Sequence, residues 1–276
     1  MKKNYWVPLA VGLCLCWLLT TGGCVIATAK YARTVQLSAP LQEGSLFVAQ
    51  THNGSITVNG TDVGECSLTA TITARAVTEE EAQKLAEQTK VSLEPSGNKL
   101  TAKIVKPRLR SNQSISVNLD VTLPNRADLE LTTHNGNVRI TDISGEISGR
   151  THNGNVTATQ VSSSTKLQTH NGSVRCKEIS GDAQLKSYNG SVKAFYCETA
   201  PGVCNVSIIT HNSGIELVAP PGFSARVEAS THNGSVRTDL PIAVTGKVNK
   251  RKLTGTIGAG EGKLYLETHN GSIRIR

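Results

Sequence analysis

The seven histidines of this chain all lie in copies of one short motif, Thr-His-Asn-Gly, or a close variant of it. Imidazole can bind a metal ion, exchange a proton near neutral pH or stack on another ring, so these residues are the first candidates for chemistry. The copies begin at Thr51, Thr133, Thr151, Thr169, Thr231 and Thr268, with variants Ser187-Tyr188-Asn189-Gly190 and Thr210-His211-Asn212-Ser213-Gly214. One repeated element must therefore position every histidine.

His134, His152 and His170 are candidates for a metal site because they recur at intervals of 18 residues. A closed zinc site usually has four ligands, yet no cysteine or carboxylate recurs beside the three histidines. We favour a structural column of stacked side chains, continued by Tyr188, with the metal site as the alternative, and expect no cofactor. Protonating closely spaced imidazoles costs repulsion, so the stability should fall below their pKa values.

A stripe of basic side chains accompanies the repeats. The residue after the inward Val or Ile of a repeat should point outward, and it is basic at Arg139, Arg175, Lys193, Arg237 and Arg274. Such a stripe would attract an anionic partner, such as an acidic polysaccharide or lipid headgroups. The alternative is a solvated face that keeps an exposed sheet soluble. Nucleic acid is disfavoured, because the net charge is only +8 and aromatic residues make up 4% of the chain.

Motifs of common catalytic sites are missing from the sequence: it has no Gly-x-Ser-x-Gly, no His-Glu-x-x-His and no phosphate-binding loop. Parallel β-helices that cleave polysaccharides need clustered acids or a calcium site. The aspartates are instead scattered, at Asp62, Asp120, Asp128, Asp142, Asp182 and Asp239. We expect a protein without enzymatic activity and keep a carbohydrate-active β-helix, a lyase or hydrolase, as the alternative.

The spacing of the motif indicates the fold. From Thr133 onward the intervals are 18, 18 and 18 residues, then 23, 21 and 37. A short constant period is typical of a solenoid, in which each coil buries its apolar face only against its neighbours. Alternation of period two within a repeat places the valines inside and the histidines outside. We predict an all-β protein, a parallel β-solenoid or β-helix with coils of about 18 residues.

The Asn-Gly pair supports two interpretations of the repeat. In the solenoid it supplies a corner, because both residues tolerate positive φ. Between alternating strands it is also the signal of a two-residue hairpin, which would give an antiparallel meander. Identical corner residues in register favour the stacked coils of a solenoid.

The chain divides into four parts. Residues 1–29 form a signal peptide or membrane anchor, 30–45 a linker, 46–130 an N-terminal β-rich part, and 131–276 the repeat solenoid. One short helix at residues 78–89, begun by a capping box at Thr78 and Glu81, should cap the N-terminal end of the stack. At the other end the last strand should be an open edge that Arg274 and Arg276 protect by charge.

The N-terminal segment has the order of a secretory signal. Lys2 and Lys3 precede an uncharged, mainly apolar run that ends in Thr21-Gly22-Gly23-Cys24. These residues resemble the lipobox of bacterial lipoproteins, which implies cleavage before Cys24 and lipidation of that cysteine. The alternative is an uncleaved anchor, since the run can cross a bilayer at roughly 20 residues per span. Both place the body outside the cytoplasm and tether it to a membrane.

The remaining cysteines fall into two groups. Cys197 and Cys204 flank a Pro-Gly turn, so an oxidising compartment would allow a disulfide between them. Cys66 and Cys176 have no obvious partner, and we expect them to behave as small buried apolar residues.

The repeats resemble those of the bacterial putative-adhesin domain family, whose coils follow Thr-x-Asn-Gly-x-Val or Ile after a signal or membrane segment. The resemblance covers residues 46–276. It implies surface attachment and identifies no catalytic residue, and the constant His after Thr departs from the family pattern. We expect a membrane-tethered, extracytoplasmic, adhesin-like binding or structural module of the bacterial cell envelope. A scaffold or sensor that binds an envelope protein is a further alternative.

Overall fold

The computed structural model of the chain describes residues 29–245 and 249–276, so the signal segment and Cys24 lie outside the described residues. No helix within those two ranges is long and apolar enough to span a bilayer. The elements before the regular repeats are β1 (Ala29–Pro40), β2 (Leu46–Asn53), β3 (Ile56–Thr61), β4 (Glu65–Ala76), α1 (Glu79–Gln88), β5 (Lys90–Ser96), β6 (Lys99–Val105) and β7 (Ser114–Pro124).

The regular repeats supply short strands in pairs: β8 (Asp128–Asn135), β9 (Val138–Ile143), β10 (Ile147–Arg150), β11 (Val156–Val161), β12 (Thr165–Thr169), β13 (Val174–Ile179), β14 (Ala183–Ser187), β15 (Val192–Tyr196), β16 (Asn205–Thr210) and β17 (Ile215–Val218). The C-terminal strands are β18 (Ala225–Thr231), β19 (Val236–Thr238), β20 (Ala243–Val244), β21 (Lys252–Ile257), β22 (Gly262–Thr268) and β23 (Ile273–Ile275).

The strands form two sheets that enclose one core. In sheet A the spatial order is β1-β4-β7-β3-β9-β11-β13-β15-β17-β23-β19, and in sheet B it is β20-β21-β18-β22-β16-β14-β12-β10-β8-β2-β6-β5. Within the repeats neighbouring strands pair in parallel and one repeat apart, so Val156 lies between Val138 and Val174. The parallel β-solenoid is confirmed, and the antiparallel meander is wrong for the repeats.

The core consists of vertical rows of small and branched apolar side chains. The row Ile140, Ala158, Cys176 and Ala194 is fully buried, and each member pairs with the next in register. Fully burying a Val, Leu or Ile side chain contributes about 1.5–3 kcal/mol, so many thin layers supply what a large aromatic core would otherwise provide. Cys66 and Cys176 are buried as expected, and burial raises the pKa of each thiol to about 12.

The helix prediction is confirmed. The Thr78 hydroxyl accepts a hydrogen bond from the Glu81 N–H at 3.2 Å, and Leu85 lies on the buried face. Helix α1 packs against β1 and β4, at the N-terminal end of the stack. There Arg33 of β1 donates to the carbonyl oxygens of Ala86 and Thr89 at 2.8 and 2.6 Å. A guanidinium at this position adds donors to carbonyl oxygens at the helix C-terminus, where positive charge is favourable.

Two of the expected boundaries differ from the structure. Most of the expected linker at 30–45 is strand β1, which pairs antiparallel with β4 over its whole length. Every second residue of β1 is partly buried, so the strand covers the core with one face. The expected division at residue 130 also separates strands that belong to one stack. Strands β2 and β3 pair in parallel with β8 and β9, so the coil at residues 46–61 continues directly into the repeats.

The C-terminal coil lies inside the stack, so the expectation of an open edge at the chain end is wrong. Strand β22 pairs with β16 on one side and β18 on the other, while β23 lies between β17 and β19. The last coil can occupy this position because antiparallel strands β20 and β21 lead the chain back beside β18. At this end of the stack the last strands are therefore β19 in sheet A and β20 in sheet B.

Candidate functional site

An outward column of aromatic rings runs along one corner of the solenoid. Each ring comes from the second position of a repeat, and its outward direction follows from the alternation of the strand that carries it. We call this column the ring ladder, in the spatial order His52, His134, His152, His170, Tyr188, His211, His269 and His232. Neighbouring ring centroids are 4.6–4.8 Å apart.

Most of these rings are stacked face to face. From His52 to Tyr188 the angle between neighbouring ring planes is 1–8°. His211 is tilted by 57° and 60° against its two neighbours, and it belongs to the repeat that carries an extra residue, Ser213. The expected stacking of His134, His152, His170 and Tyr188 thus describes part of a longer ladder that includes all seven histidines.

The stacked geometry does not form a zinc site on His134, His152 and His170. A zinc ion lies about 2.0–2.1 Å from each ligand nitrogen and in the plane of each imidazole that binds it. The planes of neighbouring rings among His134, His152 and His170 are within 2–5° of parallel, with centroids 4.7–4.8 Å apart, so the stacked rings have no common in-plane point for one ion. Within residues 29–245 and 249–276 no three His, Cys, Asp or Glu side chains are grouped to hold a metal ion.

His152 shows how the stack affects titration. Its two neighbouring rings shield it from water, and the charges of His170 and then His134 oppose a further positive charge. Together these effects hold the pKa of His152 below its ordinary value. His152 therefore resists protonation although its side chain is exposed.

A second ladder of asparagine amides lies beside the rings. The Nδ2 group of Asn153 donates to Oδ1 of Asn135 at 2.7 Å, and Asn171 donates in the same way to Asn153 at 2.7 Å. The full series, in spatial order, is Asn53, Asn135, Asn153, Asn171, Asn189, Asn212, Asn270 and Asn233. These asparagines were predicted only as turn residues, so the ladder was missed. The sequence does contain its signal, because Asn recurs at the same position of every repeat.

The motif threonine and glycine act together between coils. The buried Thr169 hydroxyl donates to the carbonyl oxygen of Gly154 in the preceding coil at 2.7 Å, and Thr151 donates to Gly136 at 2.8 Å. The glycines of the strict repeats do not have positive φ, so the explanation from turn conformation is wrong for them. A Cβ atom at Gly172 would instead collide with the Gly154 carbonyl group, so glycine is required for close approach.

The basic stripe forms one column on the outer face of sheet A, but it is interrupted. Glu216 lies in register between Lys193 and Arg274, and its carboxylate is 3.1 Å from Lys193 Nζ. The Lys193 hydrogen bond, with nearby positive charges, lowers the pKa of Glu216. Arg274 forms a second ion pair with Asp239 at 3.3 Å. Glu216 was missed because the extra Ser213 shifts the count from glycine, whereas a count of six residues from the motif threonine finds it.

A cleft of about 790 Å³ opens beside the first four rings of the ladder. One wall comes from β6 and the residues after it, with Lys103 and Lys106, and the other comes from the repeats, with Arg150. Among the described residues that line the cleft there is no Asp or Glu. The sequence did not indicate this cleft, because its two walls are separated along the chain and only the fold brings them together.

The proposed disulfide partners are both free thiols in this structure. The Cys204 side chain is buried close to Tyr196, whereas Cys197 is partly exposed with its sulfur 3.4 Å from the Thr199 hydroxyl. The two cysteines therefore have different surroundings in this structure, and their disulfide in an oxidising compartment stays a prediction.

Comparisons with known proteins concern the same repeats. The family model described as Toastrack DUF4097 matches residues 110–276. A putative cell adhesion protein of Clostridium sporogenes is 9% identical, with 88% of this chain and 99% of that one covered and a TM-score of 0.38. A putative adhesin of Bacteroides fragilis is 14% identical, with 88% and 97% covered and a TM-score of 0.40. A putative adhesin of Parabacteroides merdae is 9% identical, with 88% and 96% covered and a TM-score of 0.35. No curated protein matches the chain.

Proposed function

The chain belongs to the Toastrack DUF4097 family, and we propose that it is a non-catalytic, adhesin-like binding module tethered outside the cytoplasm of a bacterium. The observation that carries the proposal is the continuous stack with three ladders: the rings, the asparagine amides, and the motif hydroxyls that donate to the preceding coil. Rings, amides and hydroxyls recur at one corner in eight layers, and the ring spacing is 4.6–4.8 Å. A rigid surface with one repeat suits a partner with repeating units, such as an acidic polysaccharide of the cell envelope.

Rigidity is the property that such a module needs. Each ladder hydrogen bond contributes about 0.5–1.5 kcal/mol net, and every coil adds one amide bond and one hydroxyl bond to those of the parallel sheets. A surface already held in its binding conformation loses little conformational entropy when a partner binds. The regularity of the corner therefore supports binding rather than a moving catalytic site.

Binding is tested with the full chain, purified in mild detergent, on an array of neutral and acidic glycans. We expect retention of acidic glycans without any cleavage product. Release of shortened saccharides would support the alternative of a carbohydrate-active β-helix. Retention of no glycan, together with one specific envelope protein recovered after crosslinking, would support the scaffold alternative and contradict the proposal.

The tether is tested separately at Cys24. We expect the wild-type chain to incorporate labelled palmitate and to sediment with membranes, and Cys24→Ala to lose the label. If Cys24→Ala and the wild type both sediment without label, the segment is an uncleaved anchor. Recovery of the wild-type chain in the soluble fraction would contradict tethering altogether.

A further inference from the structure

The cleft beside the ring ladder exists because two strands separate. Strands β2 and β6 pair in parallel from Leu46 with Lys99 to Ala49 with Ala102. Beyond this point β2 continues towards His52 and remains paired with β8, whereas β6 remains paired only with β5. The divergence leaves a space on the outer face of sheet B, next to the first four rings. Most of the cleft is thus lined by paired strands, and Lys106 follows directly after the end of β6 at Val105.

The charges in the cleft are of one sign. Lys103 is neutralised in part by Glu94, at 3.0 Å from its Nζ. Lys106 and Arg150 form no ion pair with any described residue of the chain. Lys106 is half-buried, and this burial lowers its pKa. A partly desolvated ammonium group without a carboxylate partner costs free energy that an anion would recover.

Neutral polar groups also line the cleft. Gln50 and Gln168 line the repeat side, and Thr101 lines the β6 side. Amides and hydroxyls of this kind donate and accept hydrogen bonds, which suits the hydroxyl groups of a sugar. A volume of about 790 Å³ lies within the range of about 300–1,000 Å³ that is usual for small-molecule sites.

We propose that this cleft binds the carboxylate-bearing sugars of an acidic polysaccharide, with Arg150 and Lys106 holding the carboxylate. This inference rests on the proposed function and gives it a site. Arg150 can hold a carboxylate through two parallel N–H groups, and Lys106 adds a point charge. The glutamines and Thr101 bind the hydroxyls of the same sugar. The cleft is a better site than the basic stripe, where Glu216 already occupies Lys193.

The test measures the affinity of the full chain for a tetrasaccharide of galacturonic acid by calorimetry at pH 7.5. This pH lies above the ordinary imidazole pKa of about 6.5, and the pKa of His152 is lower still. We expect Lys106→Gln and Arg150→Gln each to raise the Kd at least about 10-fold, as expected for loss of a charged hydrogen bond. A tetrasaccharide of galactose, which lacks the carboxylates, should bind at least about 10-fold more weakly than the acidic one.

Two matched variants remove one positive charge outside the cleft. In Lys166→Gln the charge is removed from the outer face of sheet B, the face that carries the cleft. In Arg175→Gln it is removed from the basic stripe of sheet A. We expect both to bind the acidic tetrasaccharide within about 2-fold of the wild type, because exposed charges outside the site act weakly through solvent. Unfolding curves of all four variants that match the wild type show that the affinity changes are local.

Three results would overturn the site. These are equal affinity for both tetrasaccharides, unchanged affinity in the two cleft variants, and a loss in Arg175→Gln as large as in Arg150→Gln. If the cleft variants also keep the wild-type profile on the glycan array, the chain binds glycans elsewhere and the proposed function stands without this site. If the wild type binds no glycan at all, the proposed function itself fails.

Discussion

Replacing Gly172 by alanine should break the stack at one layer. A Cβ atom there would lie 2.5 Å from the carbonyl carbon of Gly154 and 3.1 Å from the Asn155 nitrogen, and closer still to the Gly154 oxygen. These atoms belong to the backbone of the preceding coil and cannot rotate away. Because Gly172 has no positive φ, conformational strain adds nothing, and the whole effect comes from the collision.

The expected loss in the free energy of unfolding follows from the contacts that the collision disturbs. Overpacking in a well-packed site costs about 1–3 kcal/mol. Separating the two coils also weakens the hydrogen bonds from Thr169 to Gly154 and from Asn171 to Asn153, each 2.7 Å long and each contributing about 1 kcal/mol net. We therefore expect Gly172→Ala to lower the free energy of unfolding by about 4 kcal/mol.

Gly64→Ala is the matched control. No heavy atom lies within 4 Å of a Cβ at Gly64, and its φ is not positive. Its free energy of unfolding should be unchanged or higher by up to about 1 kcal/mol, because alanine restricts the unfolded chain. Urea unfolding followed by circular dichroism measures both variants. If the two agree within about 0.5 kcal/mol, the close contact between coils is refuted.

Three further perturbations test the ladders. Lowering the pH from 7.5 to 5 should lower the melting temperature. The pKa of His152 in the folded chain lies below the ordinary value of 6.5, so the unfolded chain takes up this proton first as the pH falls. Stability is therefore lost as the pH falls from 6.5 through the lower pKa of the folded chain. Asn153→Asp should cost about 1–2 kcal/mol at pH 7 in urea unfolding, since a carboxylate cannot donate to Asn135. Thr169→Val should cost about 1 kcal/mol in the same measurement, because the Gly154 carbonyl loses its hydroxyl donor.

Each of these perturbations has a control. His152→Tyr keeps a stacking ring, as Tyr188 does at 4.8 Å from His170, and should reduce the pH dependence. An unchanged wild-type melting temperature between pH 7.5 and pH 5 would contradict the effect of stacking on titration. Asn59→Asp and Thr157→Val change residues outside the ladders and should stay within about 0.5 kcal/mol of the wild type. Equal losses at ladder and control positions would mean that the ladder bonds contribute nothing specific.

The sequence predicted the features that depend on period alone. The 18-residue spacing was sufficient to place Val138, Val156 and Val174 in one buried row and to stack the histidines outside it. It was insufficient where two segments distant in sequence meet, as at the cleft between β6 and the repeats. The strand in the expected linker could have been found, because Val35 and Leu37 alternate with polar residues. The close approach at glycine could not, because it depends on the distance between coils.

The spatial order of the rings in the ladder differs from their order in the sequence. His269 lies between His211 and His232, so the last coil continues the ladder of coils that precede it in sequence. It fits there because its corner offers the same groups: Asn270 donates to Asn212 at 2.9 Å and accepts from Asn233 at 2.8 Å. At the other end, Asn53 and Asn135 join the same series across 82 residues. A segment with this corner can therefore pack in any layer of the stack. The segments that connect the layers determine which one it occupies. The corner holds the register, so the outward faces remain free to differ from coil to coil, as a binding surface requires.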